Sequence, residues 1–135
     1  LSLDLSKAYE RVPFDTLRRE ALAEGFPPSL VDLALDMYSA PRRVTLRGYT
    51  SDPVFPHAGI PVGCPLAKDL LDAYLARAVR GLTGQGHHSP VKACQYVDDI
   101  TFIISGDIQE NVRLSKEVWA SVQLALGPGL CHKCP

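Results

Sequence analysis

The 135-residue sequence has no long apolar run and no excess of charge of either sign. No uninterrupted apolar stretch approaches the ~20 residues that a membrane helix needs, so no membrane span is predicted. The formal net charge is −1, with 14 Lys and Arg against 15 Asp and Glu. Proteins that bind nucleic acid alone are usually basic, because phosphate contacts supply most of their affinity. We therefore predict that this stretch alone has little affinity for a nucleic-acid duplex.

The N-terminus lacks both an initiating Met and a signal peptide pattern. Leu1, Leu3 and Leu5 alternate with Ser2 and Asp4, so the chain opens inside a strand. This opening predicts a fragment of a longer protein. The scattered cysteines and the missing signal predict reduced thiols in an intracellular protein, in either nucleus or cytoplasm. These cysteines are Cys64, Cys94, Cys131 and Cys134.

The patterns that are present alternate between strand-like and helix-like segments. Strands are predicted at 1–6, 43–47, 91–97 and 100–104, and helices at 13–24, 65–80 and 107–126, with a further helix that follows Pro27-Pro28. Asp107 and Glu110 form a cap pair that opens the last helix, and Gly127 ends it. The order predicts one α+β domain over residues 1–135, a small and mostly antiparallel sheet backed by helices on one face.

Apolar spacing also predicts which faces point inward. In the strand at 43–47, Val44 and Leu46 are expected to face the core. In the second helix, Ser29 and Asp32 fit a cap pattern. The residues expected to share its buried face are Leu30, Leu33, Ala34 and Met37. The residues expected to share that of the last helix are Ile108, Val112, Trp119, Val122 and Leu126.

Three carboxylates stand out because two strands can bring them together. Asp4 lies on the opening strand, and Asp98 and Asp99 fall where a tight hairpin would turn. If the first strand pairs beside that hairpin, the three acids converge at one edge of the sheet. Clustered carboxylates repel one another, and Mg²⁺ favours a few carboxylate oxygens together with water and phosphate. Two such ions about 4 Å apart suit nucleotidyl transfer. An ordinary turn remains the alternative, since Asp is common in turns.

Three segments, in order along the chain, carry a resemblance to a known family. Residues 4–12, Asp-Leu-Ser-Lys-Ala-Tyr-Glu-Arg-Val, are similar to the first palm motif of the reverse transcriptases of non-LTR retrotransposons and group II introns. Residues 59–66, Gly-Ile-Pro-Val-Gly-Cys-Pro-Leu, resemble the second, and Tyr96-Val97-Asp98-Asp99 matches the third, the Tyr-X-Asp-Asp box. Three motifs in order are far more specific than one.

The resemblance implies a polymerase palm with a ferredoxin-like core, here without complete fingers and thumb. It implies an RNA-directed DNA polymerase that joins dNTPs to a primer 3′ hydroxyl while copying an RNA template. The implied cofactors are two Mg²⁺ ions, with Mn²⁺ as the alternative. The implied partners are the RNA template, the DNA primer, dNTPs, and fingers, thumb and endonuclease domains of a longer chain. No membrane partner is implied.

Residue roles follow from position within the motifs. The resemblance implies that Asp4 and Asp98 bind the metal ions and that Asp99 is a third acid beside them. Tyr9 falls at the aromatic gate position, where a ring would clash with a ribose 2′-hydroxyl. The segment implied to contact substrate contributes Gly59, Pro61 and Gly63. Glycine would let the backbone approach template and nucleotide closely. Without the motif, Tyr9 would be a core aromatic.

Several departures from the family pattern keep other functions open. Val62 stands where the second motif usually has Gln, and Ala67-Lys68 stand where Ser-Pro is common. The fourth motif is blurred at residues 129–133, where Asn is missing. A catalytically inactive remnant that at most binds nucleic acid is one alternative. Another is a different palm enzyme, such as a nucleotide cyclase. Cys131-X-X-Cys134 is only half of a zinc site, which needs four ligands.

Overall fold

The computed structural model describes residues 1–5, 7–83, 89–126 and 131–133. Within these ranges the helices are α1 Phe14–Ala23, α2 Pro28–Ser39, α3 Ala67–Thr83 and α4 Ile108–Leu126. The strands are β1 Ser2–Leu5, β2 Thr45–Leu46, β3 Tyr49–Thr50, β4 Val91–Tyr96, β5 Asp99–Ile104 and β6 Cys131–Lys133. The predicted α+β class with a small antiparallel sheet is confirmed.

Residue contacts divide the chain into two compact units. One comprises Leu1–Ala8 together with Leu75–Pro135, and the other comprises Tyr9–Tyr74. The first unit contains a four-stranded sheet in the order β4-β5-β1-β6. The second contains α1, α2 and the β2–β3 hairpin, and the chain passes between the units along α3. That residues 1–135 form a single domain stays a prediction. No helix in the described ranges is long and apolar enough to cross a membrane.

The sheet forms because its strands alternate between apolar and polar residues. Leu3 and Leu5 on β1 are buried, as are Ile100 and Phe102 on β5. Leu3 is paired with Ile100, so the buried face is continuous across the two central strands. Helix α4 contacts β5 and β6. The predicted placement of the first strand beside the hairpin is therefore confirmed.

The second unit is built on the contact between α1 and α2. Leu17 and Ala21 of α1 are buried, and so are Val31, Ala34 and Tyr38 of α2. The predicted face of α2 was partly wrong, because Leu33 and Met37 are exposed. Two apolar stripes run along this helix, and periodicity cannot select between them. The predicted cap was also wrong, since Pro27 stands at the N-cap and Asp32 instead accepts a hydrogen bond from Arg18 Nε at 2.8 Å.

The predicted strand at 43–47 was too long and wrongly oriented. Strand β2 comprises only Thr45–Leu46, paired with Tyr49–Thr50, and both Val44 and Leu46 are exposed. Arg47 and Gly48 both have positive φ, at 50° and 83°, as a two-residue type I′ hairpin turn requires. The early turn ends the strand before it can present an inward face.

Helix α4 begins where the sequence predicted. Asp107 Oδ1 accepts a hydrogen bond from the Glu110 backbone N–H at 2.8 Å, so the predicted cap is confirmed. The predicted apolar face was wrong in the first half, where Ile108 and Val112 are exposed. In the second half Val122 is buried as predicted, and so is Val118, which was not predicted. The predicted stop at Gly127 lies outside the described residues.

Candidate functional site

The β4–β5 hairpin turns at Val97 and Asp98. Its last pair is Tyr96 with Asp99, so only one of the two adjacent acids lies in the turn. The prediction that both acids occupy the turn was therefore wrong, because Asp99 is the first residue of β5. Asp98 is half-buried and Asp99 is exposed, so both positions are accessible from solvent.

Val97 holds the turn in a strained backbone conformation. Its φ is +58°, a left-handed value that costs about 1–2 kcal/mol for a residue with a Cβ. A positive φ at the first central position of a hairpin normally selects glycine. Strain of this kind persists only where neighbours over-determine the geometry. Here the Gln95 side-chain amide donates to the Val97 carbonyl at 3.3 Å, and six consecutive residue pairs hold β4 to β5.

Strand β1 places Asp4 directly opposite Asp99. The Leu5 N–H donates to the Asp98 carbonyl at 3.3 Å, which makes Leu5 and Asp98 a hydrogen-bonded pair. The adjacent antiparallel pair, Asp4 and Asp99, is consequently of the non-hydrogen-bonded kind. Cα atoms in such a pair lie about 4.5 Å apart. The backbone therefore brings Asp4, Asp98 and Asp99 to one end of the sheet.

This convergence has an electrostatic cost and a chemical use. Like charges directly opposite each other on neighbouring strands destabilise a sheet. The donors are carboxylate oxygens, which Mg²⁺ prefers over nitrogen or sulfur. Among the side chains that the structure describes, which omit that of Asp4, no group of three potential metal ligands occurs. The fit to a divalent ion thus rests on the register of Asp4, Asp98 and Asp99 and on their oxygen chemistry.

Strand β6 brings His132 into register with Asp4, a pairing that the sequence did not predict. His132 is the register partner of Asp4 on the side of β1 away from β5. Positions 99, 4 and 132 therefore form one row across three strands. No local signal announces this, because the pairing joins residues at opposite ends of the sequence. Cys134, the second cysteine of the Cys131-X-X-Cys134 pattern, lies outside the described residues.

The second unit brings Tyr9 together with Gly59. The Ile60 N–H donates to the Tyr9 carbonyl at 2.8 Å, and the Gly59 N–H donates to the Val12 carbonyl at 2.9 Å. Gly59 has a φ of +105°, and a Cβ there would lie 3.1 Å from the Glu10 carbonyl oxygen. Packing against the first motif is thus sufficient reason for a glycine at position 59. Tyr9 itself is half-buried.

The next four residues form a tight turn, which we call the Pro61–Cys64 turn. The Cys64 N–H donates to the Pro61 carbonyl at 3.2 Å, and Gly63 has a φ of +97°. These features define a type II turn with Gly63 at its third position. Val62, at the second position, is 79% exposed. Nothing contacts the position of a Cβ on Gly63, so the backbone there is open to approach.

A cavity of about 250 Å³ lies beside this turn. Its lining carries both signs of charge, from Glu10 and Arg42, and is completed by residues 58–62. Arg42 is held by a hydrogen bond from its guanidinium to the Tyr38 carbonyl at 3.3 Å. The predicted site residues thus fall into two sets, the acids in one unit and the substrate-contacting residues in the other. The set of acids is Asp4, Asp98 and Asp99, and the second set is Tyr9, Gly59, Pro61 and Gly63.

A family model described as reverse transcriptase (RNA-dependent DNA polymerase) matches residues 1–127. The match includes every predicted site residue in both units. The α+β architecture with its antiparallel sheet is consistent with part of a polymerase palm. No curated protein matches the chain.

Replacing Val97 with Gly should relieve the strained turn. Removing the strain should stabilise the fold by about 1–2 kcal/mol. This gain exceeds the loss of roughly 0.5–1 kcal/mol that glycine causes through backbone entropy. We expect the free energy of unfolding, measured by urea denaturation, to stay unchanged or rise by up to about 1 kcal/mol. Ile103→Gly, at an exposed β5 position without positive φ, is the control and should lower stability. An equal loss in both variants would contradict the strain at Val97.

Proposed function

The chain belongs to the reverse transcriptase family, and from this we propose that it is the palm of an RNA-directed DNA polymerase of the non-LTR retrotransposon and group II intron type. The observation that supports catalysis most is the pairing of Asp4 with Asp99 beside the Asp98 turn. The subtype is supported by the form of the motifs at residues 4–12 and 59–66. We propose that residues 1–135 together form part of this one palm domain.

In the proposed mechanism, Asp4 and Asp98 hold the metal ions and Asp99 stands beside them as a third acid. The chemistry that two bound Mg²⁺ or Mn²⁺ ions supply is activation of the primer 3′ hydroxyl and neutralisation of charge on the leaving pyrophosphate. The strained Val97 turn keeps Asp98 at the end of β5, and pairing with β5 keeps Asp4 opposite Asp99. The acids therefore need little rearrangement when substrate binds, and this lowers the activation free energy.

Nucleotide selection is assigned to the second set of residues. Tyr9 would exclude a ribose 2′-hydroxyl by steric clash rather than attract deoxyribose. The hydrogen bond from Ile60 N–H fixes the Tyr9 backbone, so the ring has a fixed point of attachment. Gly59, Pro61 and Gly63 would present the backbone to template and dNTP. Of the two glycines, Gly63 has positive φ and nothing near the position of a Cβ, so its backbone is open to such contacts.

The proposed partners are an RNA template, a DNA primer and dNTPs, all of which are found inside cells. A net charge of −1 gives this chain little electrostatic attraction for phosphates. We therefore propose that fingers and thumb in the full-length protein supply the basic surface. An endonuclease domain is a further proposed neighbour.

Replacing Asp98 with Asn in the full-length protein should lower the rate of primer extension at least about a hundredfold. The reason is that loss of a metal ligand removes several kcal/mol of charge stabilisation. Primer extension on an RNA template with Mg²⁺ measures the effect. Asp52→Asn, an exposed change in the loop before Val54, is the matched control and should retain wild-type activity. Equal activity of the two variants would exclude Asp98 as a metal ligand.

The second candidate function is an inactive remnant, and the observation that favours it is Val62. An apolar side chain that is 79% exposed stands where the family pattern has Gln. Its side chain cannot form the hydrogen bonds of an amide. The match to the reverse transcriptase family gives no support to a nucleotide cyclase.

Val62→Gln separates the active enzyme from the remnant. For an active enzyme we expect the KM for dNTP to fall about threefold to tenfold, because one or two hydrogen bonds are gained. Val62→Met, of similar length but without the amide, is the control and should leave the KM unchanged. Steady-state primer extension by the full-length protein measures both variants. If the wild-type protein incorporates no nucleotide and Val62→Gln does not restore incorporation, the inactive remnant is favoured.

A further inference from the structure

We propose that Tyr38 is a positioning residue for nucleotide binding, because its hydroxyl fixes the Pro61–Cys64 turn through the sulfur of Cys64. The inference rests on the proposed function, in which Pro61 and Gly63 contact substrate. Sequence reasoning did not single out Tyr38, which lies 26 residues before Cys64 on a different element.

The first support is the environment of the Tyr38 hydroxyl. Tyr38 is 2% exposed, so little of this residue meets water. It donates a hydrogen bond to Cys64 Sγ at 3.0 Å. A buried hydroxyl that lacks a hydrogen-bond partner costs free energy, so even a weak acceptor such as sulfur is better than none. The bond therefore constrains where the Cys64 side chain can lie relative to α2.

The second support is the position of Cys64 at the junction of two elements. Its N–H closes the Pro61–Cys64 turn by donating to the Pro61 carbonyl at 3.2 Å. Its carbonyl accepts from the Ala67 N–H at 3.0 Å, where α3 begins. A constraint on this one side chain consequently acts on both the end of the turn and the start of the helix.

The third support is that hydrogen bonds to the first motif hold the chain just before the turn. Gly59 and Ile60 donate to the carbonyls of Val12 and Tyr9. Val62 and Gly63 follow, exposed, before the hydrogen bond at Cys64. Two fixed ends, one at Ile60 and one at Cys64, leave the intervening backbone only small freedom. Losing the second end should loosen Val62 and Gly63 most, which would weaken substrate binding without touching the acids.

Amide hydrogen exchange tests the structural half of this inference. Tyr38→Phe in the full-length protein keeps the ring and removes the donor, so we expect the Cys64 and Ala67 amides to exchange about threefold to tenfold faster. The Glu24 amide, which donates to the Glu20 carbonyl at the C-cap of α1, should be unaffected. Tyr49→Phe, on a ring that is 83% exposed, is the matched control. Unchanged exchange at Cys64, or equal acceleration at Glu24, would overturn the assignment.

A double-mutant cycle tests whether the sulfur is the partner that matters. Cys64→Ala should accelerate exchange in the turn as Tyr38→Phe does, and combining the two should add nothing further. Cys64→Ser retains an acceptor and should remain close to wild type. Additive effects of Tyr38→Phe and Cys64→Ala would overturn the inference, because the two groups would then act separately.

Steady-state kinetics test the functional half. We expect Tyr38→Phe to raise the KM for dNTP about threefold to tenfold while kcat stays within about twofold of wild type. A purely structural role would instead reduce the active fraction, lowering the apparent kcat at unchanged KM, and would overturn the inference. Failure of wild-type protein to incorporate any nucleotide would refute the proposed function, whereas the exchange experiment would still decide the role of the Tyr38 hydroxyl in the turn.

Discussion

The antiparallel pairing of β1 with β5 is the interaction on which the candidate site depends. It joins the start of the sequence to residues about one hundred positions later, and it is fixed by burial of Leu3 opposite Ile100. Because side chains alternate along a strand, a slip of one residue would turn the apolar set outward. The hydrophobic register therefore also determines that Asp4 faces Asp99. The same strand pairing thus determines both how the sheet packs and where the acids lie.

The site departs from what stability alone would favour. Two acids stand opposite each other in the sheet, and a β-branched residue adopts left-handed backbone at Val97. Each feature is unfavourable in isolation, by like-charge repulsion and by steric strain. Val97 and Asp99, which carry these two features, are the sequence neighbours of Asp98. Proteins retain such features where function requires them, which agrees with the role proposed for this end of the sheet.

Local signals in the sequence predicted much of the fold. The β4–β5 hairpin was predicted from alternation, and the α4 cap at Asp107 was predicted from a single acid followed by Glu110. The pairing of β1 beside the hairpin was considered as the arrangement that would bring the three acids together, and β1 does pair with β5. The buried face of α2 was not, since its competing apolar stripes are equivalent until a partner helix packs against one of them.

Non-local contacts account for the rest. Strand β6 has no apolar alternation, so nothing in the sequence pairs His132 with Asp4. The Tyr38–Cys64 hydrogen bond likewise joins two elements that share no motif.

Paramagnetic broadening of amide resonances during Mn²⁺ titration tests the convergence of the acids most directly. The account predicts that broadening is strongest at Asp4, Asp98 and Asp99 and is lost in Asp98→Asn. Broadening centred elsewhere in the chain, or unaffected by that substitution, would contradict it.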